Sequence, residues 1–143
     1  MIAAQAADSK KASDILIQEV GPLLKITDYF VIATGKNDRQ VDAIADEVEE
    51  QLAAKAGRSP FGREGTDSKD WVLLDYGDVI VHIFTPQTRD YYRLENLWSD
   101  AKIVALSEAG ISDFEYSDRI AKIVEAANAA VDANSEAEEA ERE

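Results

Sequence analysis

The stretch WVLLDYGDVIVHIFTPQTRDYYRLENLW, from Trp71 to Trp98, constrains this chain more than any other. Two apolar runs, Trp71 to Asp75 and Val79 to Phe84, flank Tyr76-Gly77-Asp78. That glycine-containing connection is too short for anything but an antiparallel hairpin. Proline cannot donate to a strand ladder and pushes its predecessor into extended geometry, so Thr85-Pro86 closes the second strand. Thr88 then stands where a helix cap would, ahead of Tyr91, Leu94, Glu95 and Trp98 at three- and four-residue spacing. The predicted unit is a hairpin, a proline stop and an aromatic helix.

Upstream, Ile2 to Ala12 is alanine-rich and reads as a first helix. Asp14 to Val20, ended by Gly21-Pro22, fits either a continuation of that helix or a strand. Tyr29 to Thr34 is a short β-branched run of the kind buried on both faces. Gly35 ends it, and Asn37 or Asp38 caps a long helix with one apolar stripe of Val41, Ile44, Val48 and Leu52. Asp42, Asp46, Glu49 and Glu50 face outward there, and Gly57 stops the helix. Residues 58–70 are rich in turn formers and read as a loop. Lys102 to Leu106 suggests a short edge strand, and Ile120, Ile123, Val124, Ala127 and Val131 a last amphipathic helix. This order predicts an α/β fold, a mixed β-sheet with helices packed on it. One domain is expected over residues 1–131, with a helical extension from about residue 100. Residues 132–143 form an acidic tail, too polar to bury a core and expected to be disordered.

The 143 residues suffice for a real core, and the absence of cysteine excludes disulfides and thiolate metal sites. No apolar run approaches the roughly 18 residues of a membrane span. The first lysines follow the small apolar residues instead of preceding them, which is wrong for a secretory signal, so a cytoplasmic location is expected. The net charge is −14, of which the tail carries −5. Such a surface repels phosphate backbones and favours encounter with a basic protein, so direct nucleic-acid binding is not expected.

The chemical candidates each have a plainer reading. The junction Ile32-Ala33-Thr34-Gly35-Lys36-Asn37 could seat a phosphate on free helix amides, but it lacks the spaced glycines or Gly-Lys-Ser/Thr of a nucleotide loop. A structural turn is favoured. Asp75 and Asp78 could hold a divalent cation, yet Asp and Gly are also what tight turns select, and no third ligand stands nearby. His82, the only histidine, lies among apolar neighbours without a nucleophile or metal motif, so packing is favoured over catalysis. Trp71, Tyr76, Tyr91, Tyr92 and Trp98 form a dense aromatic set. Core packing is the expected role for Tyr91 and Trp98. Trp71 opens its strand beside Ser68-Lys69-Asp70, where partial exposure suits an interface anchor. Glu64, Asp75, Asp78 and Glu95 would supply a charged rim.

The segments DYGDVIVHIF and RDYYRLENLW, in this order, resemble the signature of the bacterial ribosomal silencing factors, the Iojap-like proteins. Ile26 to Gly35 resembles that family's first central strand, Arg39-Gln40-Val41 the start of the following helix, and Pro60 with Glu64-Gly65 the loop before the hairpin. Lys36 and Asp38 depart from the small polar residues usual in the family. The resemblance runs from about Asp14 to Trp98. It implies a reduced nucleotidyltransferase-like fold and an edge strand at Asp14 to Val20. It also implies binding to a basic ribosomal protein on the intersubunit face of the large subunit, which sterically blocks small-subunit joining and lowers translation under nutrient limitation. No enzyme activity, cofactor or membrane contact is implied, and a homodimer of the free protein is left open. The matched partner-binding signature is Trp71, Asp75, Tyr76, Gly77, Asp78, His82, Tyr92, Glu95, Leu97 and Trp98, without a division between contacts and residues that shape the surface. Two rivals remain, a factor for large-subunit assembly and a nucleotide-using enzyme.

Overall fold

A computed structural model describes residues 1–129. Six strands form one mixed sheet in the order β3-β4-β5-β2-β1-β6. They are β1 (Ser13–Glu19), β2 (Tyr29–Thr34), β3 (Gly62–Glu64), β4 (Trp71–Asp75), β5 (Val79–Phe84) and β6 (Lys102–Ile103). Only β2 and β5 run parallel; every other neighbouring pair is antiparallel. The hairpin forms with the boundaries read from its apolar runs, and Gly77 supplies the left-handed turn at φ +85°.

Helices α1 (Ile2–Ser9) and α2 (Asp38–Ala56) cover one face. The alanines Ala3, Ala4, Ala6 and Ala7 are all buried, and their small size lets α1 lie close against α2. The stripe Val41, Ile44, Val48 and Leu52 packs on Ile17, Val31, Val72, Leu74, Val81 and Ile83 of the sheet. Each such side chain contributes about 1.5–3 kcal/mol by leaving water. The ends of α2 are set locally. The Asn37 side chain accepts from the Gln40 amide, and Gly57 turns left-handed so that its N–H and that of Arg58 bond the carbonyls of Ala53 and Leu52.

The other face is covered only in part. Leu16, Val20, Phe30, Ile32 and Phe84 project from it, and a helix over residues 118–129 lays Ile120, Ile123 and Val124 on this cluster. Val131 and the acidic tail lie outside the described residues.

Four local expectations are corrected. Residues 58–70 are not only loop, because Gly62–Glu64 pairs with Leu73–Asp75 as β3. Three residues carry no periodicity of their own; the partner strand creates this one. The helix after the hairpin begins at Thr85 with Pro86 in its first turn, where the missing N–H costs nothing, and Thr88 lies inside it. That helix does not run on to Trp98. It breaks at Arg93 (φ +48°) into α3 (Pro86–Tyr92) and α4 (Leu94–Leu97). Finally, β1 is not an edge strand, because β6 pairs along its outer side.

Candidate protein-docking face

On the half-covered face, alternation along β4 points Trp71, Leu73 and Asp75 outward, opposite Phe84, His82 and Ile80 of β5. The next row, on β2, is Phe30, Ile32 and Thr34. Toward β1 this surface is roofed by α3, α4 and the helix over 118–129; over β3, β4 and β5 it is open, with Trp71, Leu73, Asp75 and Ile80 partly exposed. An aromatic chain crosses it. Tyr91 meets Tyr92 edge-on at 5.0 Å, Tyr92 lies 4.8 Å from Trp71, and Trp71 lies 4.9 Å from Phe84 and 6.0 Å from His82. His82 meets Phe30 at 4.8 Å, and Phe30 meets Trp98 at 6.3 Å. The edge-on pairs of this chain each add about 0.5–1.5 kcal/mol beyond their buried area.

The ten signature residues separate clearly by accessibility. Leu97 (71%) and Tyr92 (51%) are exposed, and Trp71 and Trp98 are half-buried. Tyr91, expected in the core, is 81% exposed, because α3 faces the sheet through the buried Arg89 and Tyr91 lies two residues, about 200°, further round the helix. Tyr76 is buried in the opposite core beneath α2, where burial pushes its phenol up to about 12. His82 is also buried; desolvation lowers its imidazole to about 4 and keeps it neutral. Trp71 Nε1 donates to its Nδ1 at 3.2 Å.

Glu95 does not join a charged rim. It is 0% exposed, with Oε1 2.6 Å from Arg119 Nη1 and 3.4 Å from Arg89 Nε. Arg89, itself buried, also donates to Thr34 Oγ1 at 2.8 Å and to the Asp14 carbonyl. Gln18 Nε2 donates to the Glu95 and Trp98 carbonyls at 3.1 and 3.4 Å. A buried carboxylate needs such partners, and here they pin the broken α3–α4 segment and the helix over 118–129 to the sheet. The exposed acids at the margin are Glu64, Asp70, Asp78 and Asp90.

At the hairpin end, Asp75 Oδ1 accepts from the Gly77 amide at 2.8 Å, while Asp78 takes both terminal nitrogens of Arg58. The guanidinium holds the Asp78 carboxyl below the usual range. The two carboxylates therefore serve different partners. Phe61, 82% exposed, lies over Gly77, where a Cβ would come within 3.0 Å of its ring.

The β2–α2 junction is tightly packed, since a Cβ on Gly35 would meet Val41 at 2.8 Å. A cleft of about 550 Å³ opens beside it, lined by Lys36, Asn37, Asp38, Arg39, Thr85 and Gln87. Side chains already occupy two amides there: Gln40 Oε1 accepts from Lys36 N, and Asn37 Oδ1 from Gln40 N. Among the described residues, no group of three or more His, Cys, Asp or Glu is placed to hold a metal ion, and no helix is long and apolar enough to cross a membrane.

Sequence reasoning did not single out Leu73 and Ile80, which are partly exposed on this sheet face, or Phe30 and Phe84, which are buried in it. The alternation of β4 and the parallel register of β2 with β5 place them there. Arg119 and Gln18 gave no motif, and Arg89 lies in the RDYYRLENLW segment without having been singled out; their partnership is wholly tertiary.

Comparison with known proteins agrees with this architecture. The family described as "Ribosomal silencing factor during starvation" (RsfS) matches residues 1–143. The ribosomal silencing factor RsfS of Bacillus subtilis is 46% identical over 105 residues, 73% of this chain and 88% of that protein. The chloroplastic protein Iojap of Arabidopsis thaliana is 37% identical over 103 residues, 72% of this chain and 42% of its own. A mouse protein named "Mitochondrial assembly of ribosomal large subunit protein 1" is 36% identical over 92 residues, 63% of this chain and 40% of its own. A crystal structure of a Chromobacterium violaceum protein superimposes with a TM-score of 0.65 at 34% identity, covering 81% of this chain and 87% of that one. Fold, signature and relatives converge: the chain belongs to the ribosomal silencing factor family, to which the Iojap proteins are related.

Proposed function

We propose that this protein docks through its open sheet face on a basic protein of the large ribosomal subunit, on the surface that meets the small subunit. By occupying that space it keeps the small subunit from joining and represses translation in the cytoplasm, notably under nutrient limitation. The observation that carries this reading is the aromatic chain from Tyr91 through Trp71, half exposed on a preformed sheet and bordered by carboxylates. Rigid aromatic anchors supply most of the energy of protein interfaces, and an acidic border selects a basic partner. In this reading Trp71, Tyr92 and Leu97 touch the partner, with Trp98 at the margin and Asp75 and Asp78 on the charged border. Tyr76, Gly77, His82 and Glu95 hold the surface in shape. Repression is steric and transfers no group, so it needs neither nucleotide nor metal.

Sedimentation of the protein with purified large subunits, small subunits and intact ribosomes tests the reading. It should travel with large subunits and, in excess, reduce the formation of joined ribosomes without nucleotide. Trp71→Ala should weaken docking by roughly 2 kcal/mol or more while the protein stays folded. Association with free small subunits in preference to large ones would overturn the proposal. The mouse relative's name favours a second reading, in which the same face serves assembly of the large subunit. Precursor particles accumulating in a deletion strain, with normal subunit joining in vitro, would select it.

A further inference from the structure

His82 is the only histidine of the chain, and it lies on the open face next to Trp71. Because its Nδ1 accepts the indole N–H, the neutral ring carries its own proton on Nε2. That Nε2 is buried and has no hydrogen-bond partner among the described residues. The ring packs edge-on against Phe30 and parallel to Phe84 at 6.2 Å. A phenylalanine would fill the same ring-shaped space between them without burying an unpartnered Nε2–H, which is costly in an apolar site. Packing alone therefore does not account for an imidazole here. The one thing the imidazole does that a phenyl ring cannot is accept the proton of Trp71. Burial, which holds its pKa to about 4, keeps that accepting nitrogen free at neutral pH.

The Trp71 indole is half-buried, with Phe84 at 4.9 Å and Tyr92 at 4.8 Å. Such contacts limit where the ring lies but allow it to pivot; a directional bond to the indole nitrogen fixes its rotation. An anchor set in advance loses less rotamer freedom when a partner covers it. We propose that His82 is a positioning residue, whose Nδ1 holds the Trp71 indole in the orientation that the partner protein meets. The inference rests on the docking role proposed for this face and assigns His82 a purpose within it.

The test uses the full chain with His82→Phe, which keeps a ring but loses the acceptor, and His82→Asn, whose Oδ1 falls close to the position of Nδ1. Each is made with Trp71 intact and with Trp71→Phe. Two quantities are read: the Trp71 indole N–H resonance with its solvent exchange, and affinity for purified large subunits. Trp71→Phe identifies the resonance by removing one of the two indole signals. His82→Phe should shift that resonance, speed its exchange and weaken docking roughly five- to tenfold, as expected for one neutral hydrogen bond. His82→Asn should restore most of both, and in the Trp71→Phe background His82→Phe should change affinity by less than about twofold. An unchanged resonance and affinity in His82→Phe would overturn the proposal. So would an equal loss of affinity in the Trp71→Phe background, which would make His82 a support of the fold alone. Should His82→Phe not fold, His82→Asn carries the test: a resonance near that of the unsubstituted protein supports the proposal, and one displaced to an unbonded position overturns it. Failure of the docking reading is separately visible, as Trp71→Ala and Trp71→Phe binding large subunits normally, and it would take the role assigned to His82 with it.

Discussion

Replacing Glu95 with alanine tests the buried charge cluster that holds α3 and α4 on the half-covered sheet face. Glu95 is fully buried, and the Arg89 side chain beside it is only 3% exposed. The substitution deletes the carboxylate, leaving Arg89 with its bonds to Thr34 Oγ1 and the Asp14 carbonyl and with the more distant Asp14 carboxylate as its remaining countercharge. Removing one partner of a buried ion pair costs about 3–5 kcal/mol, because the remaining charge stays out of water. Arg119, 24% exposed and also 3.4 Å from Asp90, can turn to solvent and should add little. Urea denaturation followed by far-ultraviolet circular dichroism would read the loss as a lower midpoint at an unchanged slope. Glu95→Leu combined with Arg89→Met should recover most of it, since apolar replacement of a buried pair is often close to neutral. A loss below about 1 kcal/mol in the single variant would show that the carboxylate is solvated and the burial reasoning wrong. In conditions where Glu95→Ala remains folded, it should still sediment with large subunits. Loss of binding without loss of stability would place Glu95 at the interface after all.

Gly65→Ala should disrupt the β3–β4 edge, because a Cβ there would strike the Trp71 carbonyl and φ is +82°; a variant of unchanged melting temperature would refute this. His82 should make the fold acid-sensitive. An unfolded histidine gains its proton near pH 6.5 and the buried one only near about 4, so its contribution is full above 6.5 and lost as pH falls between the two. The loss should reach roughly 3 kcal/mol at pH 4, and His82→Phe should show a shallower acid slope than the unsubstituted protein in parallel denaturation series; identical slopes would contradict it. Arg63 holds Asp42, Asp46 and Glu49 of α2 at 2.8 to 2.9 Å from β3. Arg63→Met should cost about 1–2 kcal/mol in low salt and less in 1 M salt, and a salt-independent loss would assign the effect to packing.

Much of this fold is written locally. The hairpin of β4 and β5, the two-sided burial of β2 and the stripe of α2 each follow from the period at which apolar residues recur, and period alone reports which face leaves water. Turn and cap chemistry is equally local, so Gly77, Asn37 and Gly57 could be read from neighbouring residues. The same local pattern misled where distant partners prevailed. Tyr91, Leu94, Glu95 and Trp98 have the spacing of one helix face, yet Arg93 breaks the helix and Tyr91 ends in solvent. Glu95 has the character of a surface acid, but Arg89 and Arg119 take it inside. Gly62–Glu64 becomes a strand only because β4 offers a ladder. The signature residues between Trp71 and Trp98 were therefore legible as a set; their division into exposed and buried was not, nor was the presence of Leu73, Ile80, Phe30 and Phe84 on the same sheet face. Periodicity records the average environment along one element. Whether a single charged or aromatic side chain is covered depends on countercharges and backbone donors contributed by other segments, and only the tertiary structure brings those within reach.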